Sequence, residues 1–260
     1  MQQMLGNLLG LLKMYRLKRR GVFSTAPDRR VQPDRNFKRY FALMQQISVR
    51  FRAIRRILSS RAALLRNDDL DNEVLWLQLR MIIELATFGA VAADEKGYAA
   101  RRMDARNPKS YTEDGKVNKI LPALKSVSPI FYLPIPLEDA VMLDDAGTFH
   151  LNNDSTTFAD ADRLIQIHNR AGEHLHAHNP LSAKKHAENT ARVKASRQAF
   201  LEDYAFVWSV LKIHMKACLV FDEASGQPLD RENPDLFWFV YFDESMRGPG
   251  VTMLKSSPRD

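Results

Sequence analysis

The sequence predicts a mainly α-helical protein: a bundle of four long helices with a small antiparallel β appendage at its C-terminal end. Three observations carry this. Apolar residues recur at helical spacing over four long segments. No glycine-rich phosphate loop of the GxxxxGK[ST] or GxGxxG kind occurs, which argues against the common nucleotide-binding α/β folds. Beyond residue 215 the period changes, and short apolar runs alternate with turn-forming stretches.

The elements follow in order. Residues 1–35 read as a basic arm and linker, because GVFSTAPDRRVQPDR at 21–35 carries two prolines and a glycine. The first helix is drawn by Phe37, Phe41, Met44, Ile47, Phe51, Ile54 and Leu58, with Lys38, Arg52 and Arg56 facing elsewhere as a basic back. A second helix starts at the Asn-Asp-Asp cluster 67–69 or at Asp71 and runs to about Asp94. It is apolar around most of its circumference, the mark of a central helix. Its polar residues Glu73, Arg80, Glu84, Thr87 and Asp94 fall near one stripe, which reads first as a narrow solvent-facing strip with an Arg80–Glu84 i,i+4 pair.

Residues 100–160 are less regular, with a short helix near Val117–Val127 and a proline-rich extended piece. A third long helix is expected from Phe158 to Arg170, with Gly172 weakening its end, and a fourth from Ser182 to Met215. Phe200, Tyr204, Val207, Trp208 and Leu211 form the buried face of that last helix. The bundle therefore spans 36–215. The segment 216–260 supplies three strands, at 216–221, 236–242 and 251–255, packed on it as a small β appendage.

Composition narrows the function. At 260 residues, 45% hydrophobic and 9% aromatic, the chain has the makings of a full core. A single cysteine, Cys218, excludes an internal disulfide and a thiolate metal cluster, and a cytoplasmic setting is expected. The net charge of +7 is uneven. Residues 1–66 hold sixteen Lys and Arg against Asp28 and Asp34, a net +14, and the remainder is −7. Such a front suits an anionic partner, phosphate backbone above all, or is a solvated face offset by the acidic remainder. Met1–Leu12 is apolar but lacks a basic region ahead of it and is too short to span a bilayer, so membrane-surface contact through residues 1–20 is the less favoured reading.

The chemically suggestive segment runs from His168 to Asn179 and holds four of the seven histidines. Asn179-Pro180 offers an N-cap followed by proline at the first helical position, which places His176 and His178 at a helix N-terminus. The positive end of the dipole disfavours imidazolium and attracts anions, so a neutral base and a phosphate can share this place. Arg170 behind it, and Lys184, Lys185 and Arg192 ahead, reinforce the phosphate preference. A metal site built on His168, His174 and His178 is the weaker chemistry, since the proline splits the spacing and no HExxH or CxxC pattern supports it; no metal or cofactor is expected. Histidines that simply cap helices in a polar junction are the plain alternative.

Arg170 and His176, separated by five residues at the entry to the last long helix, resemble the Rx4-6H motif of HEPN domains. The central helix with Glu84 and the phrase His176-Ala-His-Asn-Pro180 add to the likeness. The resemblance implies a four-helix up-and-down bundle, commonly a homodimer, of toxin–antitoxin, antiviral defence or RNA-processing systems. It further implies metal-independent RNA cleavage. His176 would move the proton of the ribose 2′-OH or leaving oxygen, and Arg170 would stabilise the charge on the phosphorane. His178 and Asn179 would assist, and Glu84 would orient them. Arg52, Arg56, Lys184, Lys185 and Arg192 would hold the nucleic acid. Ala171 departs from the pattern, because active members carry a polar residue after the Arg. The same likeness also covers non-catalytic modules, here binding nucleic acid or a protein partner through the basic N-terminal region.

Overall fold

The computed structural model describes residues 35–103, 115–128, 132–137, 141–143, 149–151, 159–175, 184–218, 236–242 and 248–255. Six helices and six strands lie within them: α1 (Arg35–Ser59), α2 (Asp68–Ala93), α3 (Glu95–Met103), α4 (Val117–Val127), β1 (Ile135–Pro136), β2 (Val141–Leu143), β3 (Phe149–Leu151), α5 (Ala161–Leu175), α6 (Lys184–Leu211), β4 (Ile213–Cys218), β5 (Leu236–Phe242) and β6 (Pro249–Lys255). The protein is mainly helical, with a small antiparallel sheet ordered β1-β4-β5-β6 and a separate β2–β3 pair.

The helices form where the periodicity puts them. Tyr40, Met44, Ile47, Phe51 and Ile54 line one side of α1 with no exposure, since residues three and four apart share a helical face. This side packs on α2, the most extensive helix–helix contact among the described residues. At the start of α2, the Asn67 side chain accepts from the N–H groups of Asp69 and Leu70, satisfying donors that a helix leaves open. Asp71 turns inward instead and accepts from the N–H groups of Leu64 and Leu65, fastening the α1–α2 connection. By length and composition α2 is apolar enough to cross a membrane, yet 56% of its most apolar window is buried inside the protein, so its apolar surface belongs to the core. Helix α5 packs along α2.

Several expectations need correction. The third long helix does not end at Arg170: α5 continues through Gly172 to Leu175. The last helix stops at Leu211 rather than Met215, and His214 and Met215 belong to β4. The helical reading there failed because Leu211 and Met215, four residues apart, also fit one helical face, while β4 is buried on both sides rather than alternately. The sheet is also not confined to 216–260, because Ile135 and Pro136 pair with Met215 and His214. Trp238 lies against Tyr40 and Phe37 of α1, with ring centroids 5.0 and 5.6 Å apart, and Phe242 lies 5.6 Å from Phe51.

The polar stripe of α2 is the largest correction. Only Glu73 at its start is exposed. Thr87 and Asp94 are buried, and Arg80 and Glu84 are partly covered by α5. The stripe passes from solvent into the interior. Burial of charge demands a partner, and Asp94 has one in Lys216 of β4, 2.7 Å away.

Candidate functional site

Helix α5 straddles α2 and α6, and its last turns carry three polar arrangements. Toward α2, His168 donates from Nε2 to Glu84 Oε1 at 2.9 Å, and Arg80 Nε donates to the same oxygen at 3.0 Å. His168 is 9% exposed and its Nδ1 is buried with no partner among the described residues. Gly172, one turn on, leaves room for the Arg80 guanidinium: a Cβ there would stand 2.7 Å from Arg80 Nη1. At the end of α5, His174 stacks on Trp76, ring centroids 4.5 Å apart and planes 17° from parallel. Trp76 is fixed in turn, since its Nε1 and the Asn72 amide both donate to Ser196 of α6.

Toward α6, Arg170 Nη1 donates to Asp203 Oδ2 at 2.8 Å, and Arg163 Nη2 donates to Asp203 Oδ1 at 3.4 Å. The carboxylate has no solvent exposure, while the two arginine side chains are 40% and 42% exposed. Burial raises the pKa of Asp203 above its ordinary value; Arg170 and then Arg163 oppose that without cancelling it. Arg163 also lies over the Phe206 ring at 5.4 Å.

These contacts distribute the sequence-predicted residues as follows. Arg170 and Glu84 do not meet. They engage different sides of α5, as His168 and Arg170 must, being two residues and about 200° apart on the helix. His176, His178 and Asn179 lie outside the described residues, as does the expected proline-started turn. Lys184, Lys185 and Arg192 belong to the first half of α6, with side chains outside the described set. Arg52 and Arg56 are exposed on α1, beside Arg55, whose guanidinium stacks on Trp208 at 4.4 Å. Among the described residues no group of three His, Cys, Asp or Glu side chains is placed to hold a metal ion.

Two participants escaped the sequence reading, Asp203 and Arg163. The signal was present. Asp203 falls three residues after Phe200 and four before Val207, inside an apolar stripe, and a carboxylate there must find a cation. Arg163 precedes Arg170 by seven residues and so shares its face.

Comparison with family models, with curated proteins and with solved structures finds no match to this chain.

Proposed function

We propose that the chain is a HEPN-like, RNA-directed protein that cleaves RNA without a metal ion, centred on the exit from α5. One observation supports this above the others. Arg170 stands about one and a half turns before the end of α5, half-exposed, its guanidinium held in place by a buried carboxylate. An arginine oriented before substrate arrives is what stabilisation of a developing phosphorane requires. His176 then serves as the proton-transfer group, with His178 and Asn179 beside it. Glu84 acts on the other side of α5, through His168 and Arg80. Arg52, Arg56, Lys184, Lys185 and Arg192 carry the phosphate backbone, and a homodimer in a cytoplasmic defence or toxin-type system goes with this reading.

The test is incubation of the purified protein with labelled RNA in EDTA. Cleavage that falls at least ~100-fold in both Arg170→Ala and His176→Ala is expected, the usual scale for one charge-stabilising or proton-transfer group. Cleavage indifferent to both substitutions would sink the assignment.

A second reading rests on the Arg170–Asp203 pair itself. With its charge already partnered at 2.8 Å, Arg170 suits a non-catalytic module that holds nucleic acid. Salt-sensitive RNA binding with no cleavage in the same assay selects it.

A further inference from the structure

Helices α5 and α6 make little close backbone contact, and long side chains span the space between them: Arg163 and Arg170 reach across to one buried carboxylate, Asp203. The two arginines are seven residues apart, about 10.5 Å along the helix and within about 20° of the same direction. One carboxylate cannot neutralise two guanidiniums, so the pair and its anchor carry a net positive charge. Each guanidinium has five N–H donors. Asp203 takes one from each arginine, and both side chains remain about 40% exposed. Two acidic neighbours hydrogen-bond to uncharged donors and keep their charge: Asp160 accepts from the backbone N–H of Arg163, and Glu202 accepts from the Gln198 amide.

We propose that Arg163 and Arg170 form a two-arginine clamp for a phosphodiester group of single-stranded RNA, with Asp203 as the positioning residue that holds both forks. The inference rests on the RNA-directed reading above and adds to it Arg163, which lies outside the Arg170–His176 motif. Guanidinium suits the task, because its planar fork binds phosphate oxygens bidentately and keeps its charge when partly desolvated. Phe206, with Arg163 above its ring, fixes the orientation of that side chain from below.

The experiment measures fluorescence anisotropy of a short labelled oligoribonucleotide across a salt series. Arg163→Gln is expected to weaken binding roughly tenfold and to reduce the slope of log affinity against log salt by about one. Lys119→Gln, an equal loss of charge on the exposed side of α4, changes neither. Asp203→Asn is the decisive variant. If charge alone mattered, removing a negative group would tighten RNA binding; if Asp203 positions the clamp, binding weakens. Thermal melts of each variant establish that it is folded, and Arg163→Lys, which keeps the charge but not the fork, is expected to bind less tightly than wild type. The clamp is overturned if Arg163→Gln behaves like Lys119→Gln, or if folded Asp203→Asn binds more tightly. Should the wild type bind no RNA, the RNA-directed reading fails. Titration with inorganic phosphate, followed by NMR at the arginine Nε–H groups, then decides the clamp separately. Shifts at both Arg163 and Arg170 keep it as an anion site; no shift at either discards it.

Discussion

At the scale of single residues, two helical glycines give opposite predictions for the same substitution. Gly172→Ala puts a methyl 2.7 Å from Arg80 Nη1, the tip of a flexible side chain that can swing away. The cost is a partly exposed i,i+4 ion pair worth a few tenths of a kcal/mol, against about 1 kcal/mol of helix propensity gained. Propensity wins, and Gly172→Ala should raise stability by about 0.5 kcal/mol in urea unfolding. Gly89→Ala puts its methyl 3.1 Å from a ring carbon of Tyr40. That ring is fully buried and its hydroxyl is bound to His214, so it cannot yield. Here overpacking wins, and a loss of about 1–3 kcal/mol is expected. Loss of stability in Gly172→Ala would show that Arg80 is held more firmly than its exposure implies. The site itself was half legible at this scale. Arg170 and Glu84 stood out by type and position, but nothing in the sequence pairs Glu84 with His168, 84 residues away, and that pairing sets Glu84 on the side of α5 away from Arg170.

At the scale of elements, α1 was readable from its apolar period and α2 from an apolar stretch too long for a strand. The start of α2 was readable because Asn67 has a physical task there. The sheet was only partly readable. Ile135–Pro136 is two residues long and has no period at all, and a single residue separates the end of α6 from the start of β4, where Met215 continues the apolar face of the helix. What ties β4 to the bundle was likewise invisible. Lys216 and Asp94 are 122 residues apart, and both are almost fully buried. Taking two charges out of water is costly, but removing one partner alone is costlier still. Lys216→Met should therefore destabilise the protein by about 3–5 kcal/mol, while the double variant Lys216→Met with Asp94→Leu should recover most of that loss. Equal losses in the single and double variants would show that the pair fixes the α2–β4 geometry by more than charge balance.

At the scale of the whole molecule, bundle and sheet share one interior. Residues 213–218 and 236–242 contribute Cys218, Trp238, Val240 and Phe242 to the hydrophobic core that α1, α2 and α6 complete, so packing continues across the sequence boundary at 215/216. His214 stands at that junction. Its Nε2 accepts from the Tyr40 hydroxyl of α1 and its Nδ1–H donates to the Leu211 carbonyl at the end of α6, each at 2.8 Å. Both bonds use the neutral ring, and complete burial pushes its pKa from 6.5 down to about 4. Between those two values the unfolded chain binds a proton that the folded chain refuses, so stability rises with pH across this window. The contribution is complete above about pH 6.5 and is lost as the pH falls through about 4. A shift of this size corresponds to about 3 kcal/mol. Urea unfolding at pH 7 and at pH 4 measures it, and in His214→Asn the difference between the two should shrink by that amount. Far-UV circular dichroism, which follows the helices, and tryptophan fluorescence, which follows Trp238 in the sheet as well as Trp76 and Trp208 in the bundle, should report one coincident transition at both pH values. Separate transitions at pH 4 would mean that acid releases the sheet before the bundle, with His214 acting as a latch between the two.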